Sequence, residues 1–423
     1  MRNGDNSTKS RNRVLAALDV GTTKICCLIS KPPQERGSGP RIVGIGHQVS
    51  KGLRNGAVVD LGQAETAIRA TVEAAEQMAG ENIDNVIVNL SGGRPKSRLL
   101  AYEVAIGGHE IGDFDIRRIL DPANLSNEKP EEYELLHRIP IGYGIDGNRS
   151  IADPRGMFGE RLSVNMHVIT ALRGPLRNLE TVVRRCHLGI EQVVVSPYAA
   201  ALGCLSEEEK ALGTTCIDMG GSTTSVSVFF DGELVHTDTL PVGGVHVTKD
   251  IARGLVTAYA HAERLKTLYG NAMPSANDDR QLIQVPSVGE EETPEANSIP
   301  RSVLVGIVRP RIEEVFELVR DHLKEAGFDQ VAGRGLVLTG GASQLPGVRE
   351  VADATLNKQA RFGRPIAMSG MAEAAAGPAF AVCMGLLQYG FGHRAEEPDA
   401  QVPQFTTPSG RFGRIGQWLR ENF

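Results

Sequence analysis

Two copies of one short pattern, roughly half a chain apart, constrain the fold more than any other feature of this sequence. The second copy, residues 214–230, has an apolar strand that carries Asp218 to a Gly–Gly turn, and alternating apolar residues follow. The first copy, residues 14–29, has the same order of apolar strand, Asp19, glycine, hydroxyl residues and apolar strand. The repetition predicts two related halves that face a common ligand.

The turn of the second copy carries residue types that suit a phosphate group and a metal ion. Adjacent glycines allow close backbone approach, so main-chain N–H groups can converge on an anion. Asp218 offers the hard carboxylate oxygens that Mg²⁺ prefers. Taken alone, the segment could equally be a plain β-hairpin with a Gly–Gly turn. The candidate anion-binding residues are Gly220, Gly221, Ser222, Thr223 and Thr224.

Composition narrows the class of protein. A chain of 423 residues is too long for one compact core and predicts two or more domains. A net charge of −6 and an isoelectric point near 6.0 argue against a nucleic-acid partner, which would require a basic surface. The polar, basic start of the chain predicts no secretion signal, and no apolar run reaches membrane-spanning length.

The six cysteines are predicted to be buried and reduced, as in a cytosolic protein. They lie among apolar neighbours without the spacing of a metal site. Cys26 and Cys27 are adjacent on a predicted strand, so their side chains point to opposite faces and cannot pair.

The first half of the chain alternates strands with helices, which indicates an α/β architecture. A strand is predicted at 41–48, a helix at 63–79 and a strand at 85–90. Residues 91–167 break this rhythm with Gly-rich turns and a short helix, and they are long enough for an inserted subdomain. The main pattern is expected to resume with a strand at 168–172.

Further glycine pairs mark the second half. Gly243 and Gly244 precede a predicted helix, and Glu263 and Lys266 lie three residues apart on the next one, where they could form an ordinary surface ion pair. Residues 335–347 read as a buried strand and a Gly–Gly turn that opens a helix. Such a turn could admit a flat group such as a base or ribose, or it could be a simple strand-to-helix turn.

The remaining segments are predicted from composition and periodicity. Residues 271–300 read as an exposed hairpin region, and residues 303–326 as an amphipathic helix that is interrupted or restarts near Pro310. Residues 374–387 read as a buried helix, and 391–410 as a flexible linker.

The last residues, 411–423, form an amphipathic helix on a helical wheel. Beyond a linker, its apolar side has no core to join, and its basic polar side and Trp favour insertion into an anionic membrane surface. Docking on this protein or on a partner is the alternative. The membrane-facing candidates are Phe412, Ile415, Trp418, Leu419 and Phe423.

These ordered features resemble the actin/Hsp70/sugar-kinase ATPase superfamily, with two phosphate loops at 19–24 and 218–224 and an adenosine motif at 336–347. Within it, the chain from about residue 13 to its end resembles the FtsA family of bacterial cell-division proteins. The narrower resemblance is carried by the insert and by residues 285–289, 380–390 and 418–423.

The resemblance implies an α/β, actin-like ATPase fold: two RNase H-like domains around a nucleotide cleft, an inserted 1C subdomain and a C-terminal amphipathic helix. The implied division is a disordered tail at 1–12; subdomain 1A at 13–90, 168–205 and 363–390; subdomain 1C at 91–167; subdomain 2A at 206–244 and 328–362; subdomain 2B at 245–327; a flexible linker at 391–410; and the membrane-targeting helix at 411–423.

The resemblance also implies a Mg²⁺–ATP site. Asp19 and Asp218 would hold Mg²⁺, through waters. The cofactor-binding residues would be Gly21, Thr22, Thr23, Lys24, Gly220, Gly221, Ser222 and Thr223 for the phosphates, and Gly243, Gly244, Glu263, Lys266, Gly340, Gly341 and Ala342 for the adenosine.

The implied partners are those of a membrane-bound division protein. Members of the family self-associate into actin-like filaments on the cytoplasmic face of the inner membrane at the septum, tether the C-terminal peptide of FtsZ, and recruit later divisome proteins. Arg301, Arg309 and Arg311 lie in the region where the acidic FtsZ peptide would require cations.

The sequence departs from hydrolytic members of the superfamily at Ser196. Those members place a carboxylate or glutamine at this strand-to-helix junction to orient the attacking water. Residues 195–200 contain no acid, which predicts tight ATP binding with slow hydrolysis and names no catalytic residue. The alternatives are a sugar-kinase-like phosphotransferase, for which no catalytic Asp is identified, and a pilus-assembly relative of the same fold.

Overall fold

The computed structural model describes residues 14–33, 39–121, 131–286, 297–331 and 333–396. Two five-stranded mixed sheets, each covered by helices, form its two domains. Within these ranges, no helix combines the length and the apolarity that crossing a membrane requires. The predicted terminal tail, most of the linker and the amphipathic helix with Phe412, Ile415, Trp418, Leu419 and Phe423 lie outside the described residues.

The first domain is built on a sheet in which an antiparallel meander is extended by two parallel strands. Alternate residues of its central strand face two different cores, so Leu18 packs against helices of one face and Ala17 against those of the other. Cys27 and Cys26 divide in the same way, as predicted. The strands are β1 (Leu15–Val20), β2 (Lys24–Lys31), β3 (Arg41–Val49), the short pair β4 (Leu53–Arg54) and β5 (Ala57–Val58), β6 (Asn85–Leu90) and β11 (Gly189–Val195), in the sheet order β11-β6-β1-β2-β3. The helices are α1 (Leu61–Ala79), α3 (Arg173–Arg185), α4 (Ser196–Cys204) and α10 (Ala381–Glu396).

The second domain repeats this topology strand for strand, which confirms the prediction of two related halves. Its meander is again extended by two parallel strands, in the order β14-β13-β12-β17-β18. The elements are α5 (Glu207–Leu212), β12 (Thr214–Met219), β13 (Thr224–Phe230), β14 (Glu233–Leu240), α6 (Gly244–Gly254), α7 (Tyr259–Tyr269), β15 (Leu282–Gln284), β16 (Ser298–Pro300), α8 (Arg301–Ala326), β17 (Gly335–Thr339), α9 (Val348–Leu356) and β18 (Gln359–Phe362).

The predicted insert is a separate antiparallel sheet between β6 and α3. Its elements are β7 (Lys96–Ala105), α2 (Asp113–Ile119), β8 (Tyr133–Ile145), β9 (Asn148–Ile151) and β10 (Arg161–Leu172), in the order β7-β10-β8-β9. The strand predicted at 168–172 is the end of β10 and pairs with β7 and β8. The expectation that the main sheet resumes there was wrong, because strand periodicity does not reveal which neighbour a strand pairs with.

Two helix predictions also require correction. Helix α8 runs without interruption through Pro310, because apolar residues on both sides of the proline, such as Val305 and Ile312, are buried in one core. This packing outweighs the hydrogen bond that proline removes. The last helix begins at Ala381 rather than 374, after two short 3₁₀ turns, and continues to Glu396 into the predicted linker.

Candidate functional site

The two copies of the repeated pattern meet at their turns. We call β1 and β2 hairpin 1, and β12 and β13 hairpin 2. The hydroxyl oxygens of Thr22 and Ser222 lie 2.6 Å apart, within hydrogen-bond distance. A Cβ atom added to Gly221 would lie 2.5 Å from Cγ2 of Thr23. Glycine is therefore required where the two hairpins approach each other.

Both turns have the same four-residue backbone. The N–H of Gly21 donates to the carbonyl of Lys24 at 3.0 Å, and the N–H of Gly220 donates to the carbonyl of Thr223 at 2.8 Å. Added Cβ atoms would lie 2.7 Å and 3.0 Å from those carbonyl oxygens. The glycines are needed for space above the turn, since a side chain would press on the backbone itself.

Asp19 and Asp218 lie at the ends of the first strands of the two hairpins, both in buried surroundings. Burial raises the pKa of Asp19 to about 6, against the opposing charge of Lys24 and the hydrogen bond from Asn89. Burial and the negative charge of Asp19 raise the pKa of Asp218 to about 7, against the charge of Lys24. Two buried carboxylates, one of which raises the pKa of the other, lie beside Lys24 and suit a divalent cation.

Asp19 is braced by a polar network that sequence reasoning missed. The amide of Asn89 donates to Oδ1 of Asp19 at 2.8 Å, and its Oδ1 accepts from the N–H of Val20 at 2.6 Å. Asn89 also donates to Oγ of Ser196 at 3.0 Å, which lies 2.8 Å from Oγ of Ser91. A polar residue directly after the apolar run 86–88 of strand β6 was the available signal.

The Gly243–Gly244 pair lies directly beneath the turn of hairpin 2. The N–H groups of Gly244 and Val245 donate to the carbonyls of Gly220 and Gly221 at 3.1 Å and 2.7 Å. A Cβ on Gly243 would lie 2.6 Å from the Gly220 oxygen. Helix α6 therefore begins at the cleft, and the N–H groups of Gly244 and Val245 at its start hold the turn of hairpin 2 in place.

The predicted pair Glu263 and Lys266 is an ion pair at the same place rather than at a remote surface. Nζ of Lys266 lies 2.7 Å from Oε2 of Glu263 and donates to the carbonyl of Gly244 at 3.2 Å. Thr248, which the sequence did not single out, donates to Oε2 of Glu263 at 2.5 Å. A Cβ on Gly244 would lie 3.2 Å from Cβ of Ala342. Residues of α6, α7 and the turn after β17 thus converge.

The turn after β17 reaches hairpin 2 from the other side. Gly340 has a φ of +84°, and a Cβ there would collide with Oδ1 of Asp218. Its N–H donates to the carbonyl of Pro378 at 3.2 Å. Gly341 and Ala342 begin the short 3₁₀ turn Gly341–Gln344.

Lys24 of hairpin 1 points to the segment before α10, a contact the sequence did not indicate. Its Nζ donates to the carbonyl of Ala379 and lies 3.6 Å from the centroid of the Phe380 ring. The ammonium group is therefore held by a carbonyl and a cation–π contact at the edge of the cleft.

The three arginines proposed for partner binding all have acidic neighbours. Nη1 of Arg301 lies 2.6 Å from Oδ1 of Asp278, and only 17% of the Arg301 side chain is exposed. Arg309 lies 2.7 Å from Glu313. Arg311 lies 2.5 Å from Asp250 and also contacts Glu314. An acidic peptide would have to compete with these ion pairs, and the assignment stays a prediction.

Comparisons with known proteins agree with this architecture. The family described as "Cell division protein FtsA" matches residues 215–385, and "SHS2 domain inserted in FTSA" matches residues 92–170. Proteins named "Cell division protein FtsA" from Rhizobium meliloti, Pseudomonas aeruginosa and Escherichia coli K12 are 44%, 32% and 30% identical. The matches cover 98%, 97% and 97% of this chain and 96%, 98% and 98% of those relatives.

Solved structures share the fold at low sequence identity. The PilM–PilN type IV pilus biogenesis complex matches with a TM-score of 0.64 at 18% identity, over 89% of this chain and 98% of that chain. MreB5 of Spiroplasma citri bound to ADP matches with a TM-score of 0.55 at 15% identity, over 92% and 100%. The expected actin-like fold with an inserted domain is confirmed.

Proposed function

Because the chain belongs to the FtsA family of cell-division proteins, we propose that it binds Mg²⁺–ATP between its two domains and polymerises on the cytoplasmic membrane, where it anchors FtsZ. The main support for a nucleotide site is the meeting of the two hairpins, where the hydroxyl oxygens of Thr22 and Ser222 lie 2.6 Å apart. MreB5 of S. citri, which shares the fold, was solved with ADP and with AMPPNP.

The cleft residues fit a magnesium nucleotide. Gly243 packs against the backbone of hairpin 2 and Gly221 packs against Thr23, so glycine at both positions lets the phosphate-binding turns come together at the cleft. Asp19 and Asp218 would hold the metal, and both turns with Lys24 would hold the phosphates. The ion pair of Glu263 and Lys266 would meet the adenosine. The metal ion and the phosphates of bound Mg²⁺–ATP would contact both hairpins and so hold them together.

Hydrolysis is proposed to be slow. The junction between β11 and α4 presents Ser196, whose hydroxyl is buried and hydrogen-bonded to Asn89 and Ser91. A hydroxyl has far too high a pKa to act as a general base. We therefore expect the nucleotide to act as a structural link between the domains more than as a substrate.

Measurements of ATP binding at equilibrium and of ATP turnover test the nucleotide site and the slow hydrolysis together. We expect ATP to bind in Mg²⁺ and to bind at least about tenfold more weakly in excess chelator, because the two aspartates require a cation. We expect turnover well below the about 10 s⁻¹ that is typical of enzymes. Absence of Mg²⁺-dependent binding would contradict the site, and turnover at kinase-like rates would contradict the role given to Ser196.

The membrane, filament and FtsZ assignments rest on the family and on the terminal sequence pattern. The proposed location is the cytoplasmic face of the inner membrane at the septum, with the chain self-associated into filaments and further divisome proteins recruited at the insert. An apolar face with Trp418 and Leu419, opposite Arg414 and Arg420, suits the interface of anionic lipid.

Co-sedimentation with anionic liposomes and ATP tests the anchor, scored for both membrane binding and recruitment of FtsZ. Removal of residues 411–423 should abolish both. Trp418→Ala should reduce both strongly, whereas Gln417→Ala on the polar side is the matched control and should reduce neither. Undiminished binding of the truncated protein would show that the tether lies elsewhere.

The sugar-kinase alternative receives no support from the relatives, which are cell-division proteins over nearly their whole length. The pilus complex shares the fold alone, since its identity to this chain is 18%.

A further inference from the structure

The insert is joined by the chain only to the first domain, through β6 and α3, yet it makes specific polar contacts with the second domain. Nδ1 of His167, on β10, lies 2.8 Å from the carbonyl oxygen of Leu234, on β14. Nε2 of the same ring lies 2.7 Å from Oγ of Ser97, on β7. The N–H of Thr237 on β14 donates to Ser97 Oγ at 3.2 Å.

These contacts fix where each proton lies. A carbonyl oxygen can only accept, so Nδ1 of His167 carries the hydrogen and Nε2 accepts from the Ser97 hydroxyl. Ser97 Oγ is then free to accept from Thr237 N–H, and Nδ1 of His236 approaches it at 3.4 Å. With His167 neutral, this assignment gives both of its ring nitrogens a partner and lets the Ser97 hydroxyl donate once and accept once.

The surroundings favour this neutral arrangement. His167 is fully buried, and burial together with the neighbouring His236 lowers its pKa to about 3. The His236 ring stacks on Phe328 of the second domain at 4.6 Å between centroids, and its own pKa is lowered by burial to about 4.

The contacts border a core that all three regions share. Ile169 of the insert, Val195 of the first domain and Leu234 of the second domain are buried in one apolar cluster. Strand β14 is an edge strand of its sheet. The backbone N–H of Thr237, on the open side of this edge strand, donates to the hydroxyl of Ser97 in the insert.

We propose that Ser97, His167, Leu234, His236 and Thr237 form an interdomain latch that fastens the insert to β14, so that the insert follows the second domain although the chain attaches it to the first. Strand β14 ends at Leu240, three residues before Gly243 of the cleft. Rotation of the second domain about the cleft must therefore carry the insert with it or break the latch. The latch can be tested in the protein without nucleotide.

Hydrogen exchange of the full-length protein tests the latch. In Ser97→Ala, amide exchange of residues 233–240 and of residues 96–105 should rise together by about tenfold. The reason is that β7 and β14 lose the hydrogen bonds of the Ser97 hydroxyl to His167 and Thr237. Ser163→Ala is the matched control, since that hydroxyl donates to Gly144 within the insert and should change neither segment. A rise confined to residues 233–240 would show that Ser97 only caps an edge amide, and it would overturn the latch.

The tautomer of His167 gives a second test on the unmodified protein. Two-dimensional ¹⁵N–¹H spectra of histidine-labelled protein at neutral pH should show His167 as the neutral Nδ1–H form. The Nε2–H form would mean that Leu234 is not the acceptor, and a charged ring would mean that Nε2 does not accept from Ser97. Either result would overturn the latch. Ser97→Thr keeps a hydroxyl and should retain the Nδ1–H form.

Discussion

Hairpin 1 and hairpin 2 turn through the same four-residue loop, but the two loops carry different chemistry. The position of Lys24 in hairpin 1 is taken by Thr223 in hairpin 2, as the matching Gly21 and Gly220 hydrogen bonds show. Hairpin 1 also has the Asn89 amide against its aspartate. One backbone therefore appears twice, and only one copy supplies a cation and a brace for its acid.

The two hairpins therefore differ in how well each stabilises the charge of its own aspartate. Hairpin 1 is internally compensated, because Lys24 and Asn89 both favour the charged form of Asp19. Hairpin 2 is not compensated to the same degree, since the charge of Asp19 adds to burial in raising the pKa of Asp218. We expect the ligand to stabilise hairpin 2 more than hairpin 1.

The largest expected effect comes from the glycine at which the hairpins touch. Gly221→Val should abolish ATP binding and destabilise the protein by about 2–3 kcal/mol, because its Cβ would overlap Thr23. Thr22→Val, at the matching position of hairpin 1, should be far milder, since a β-branched residue already fits there. Calorimetric binding and thermal unfolding measure both, and similar losses in the two variants would break the comparison.

The second prediction concerns the cation. Lys24→Met should weaken ATP binding by about 10- to 100-fold, because a charged donor to phosphate is lost. Thr223→Ala, its counterpart, should weaken binding by less than about tenfold. A larger loss for Thr223→Ala, measured by the same titration, would show that hairpin 2 is the main phosphate loop.

The third prediction concerns the two acids without ligand. Asp218→Asn should raise the melting temperature of the nucleotide-free protein by about 2–4 °C, because it removes a poorly compensated buried charge. Asp19→Asn should raise it less, since the favourable contacts of that carboxylate with Asn89 and Lys24 are lost as well. Both variants should lose the additional stabilisation by Mg²⁺–ATP. Equal melting shifts in the nucleotide-free variants would remove the proposed asymmetry.

The fourth prediction concerns the latch rather than the hairpins, and its effect appears only below neutral pH. His167 has a pKa of about 3 in the folded protein against 6.5 for an ordinary histidine. Between those values the unfolded chain binds a proton that the folded chain does not, so the free energy of unfolding falls as the pH falls from 6.5 toward 3. His167→Gln should flatten this acid limb in urea unfolding at several pH values, while Gly174→Ala, at an open position, should leave it unchanged.

Much of the cleft could be predicted from local sequence, but the long-range contacts that hold Asp19 and Lys24 in place could not. Asp19, Asp218 and the glycines were predicted because a tight turn between apolar strands requires specific residues at fixed spacing. The contacts from Asn89 to Asp19, from Ser196 to Asn89 and from Lys24 to Phe380 join residues 70, 107 and 356 positions apart. No local pattern encodes such pairings.

The sequence by itself determined the repeated hairpins, the presence of an insert and the resemblance to an actin-like family, because strand alternation and turn chemistry act over a few residues. Tertiary structure decided that the end of β10 belongs to the insert sheet, that α8 continues through Pro310, and that His167 fastens the insert to β14. Each of these depends on burial against distant residues. Such packing can outweigh a local preference, and it appears only when the chain has folded.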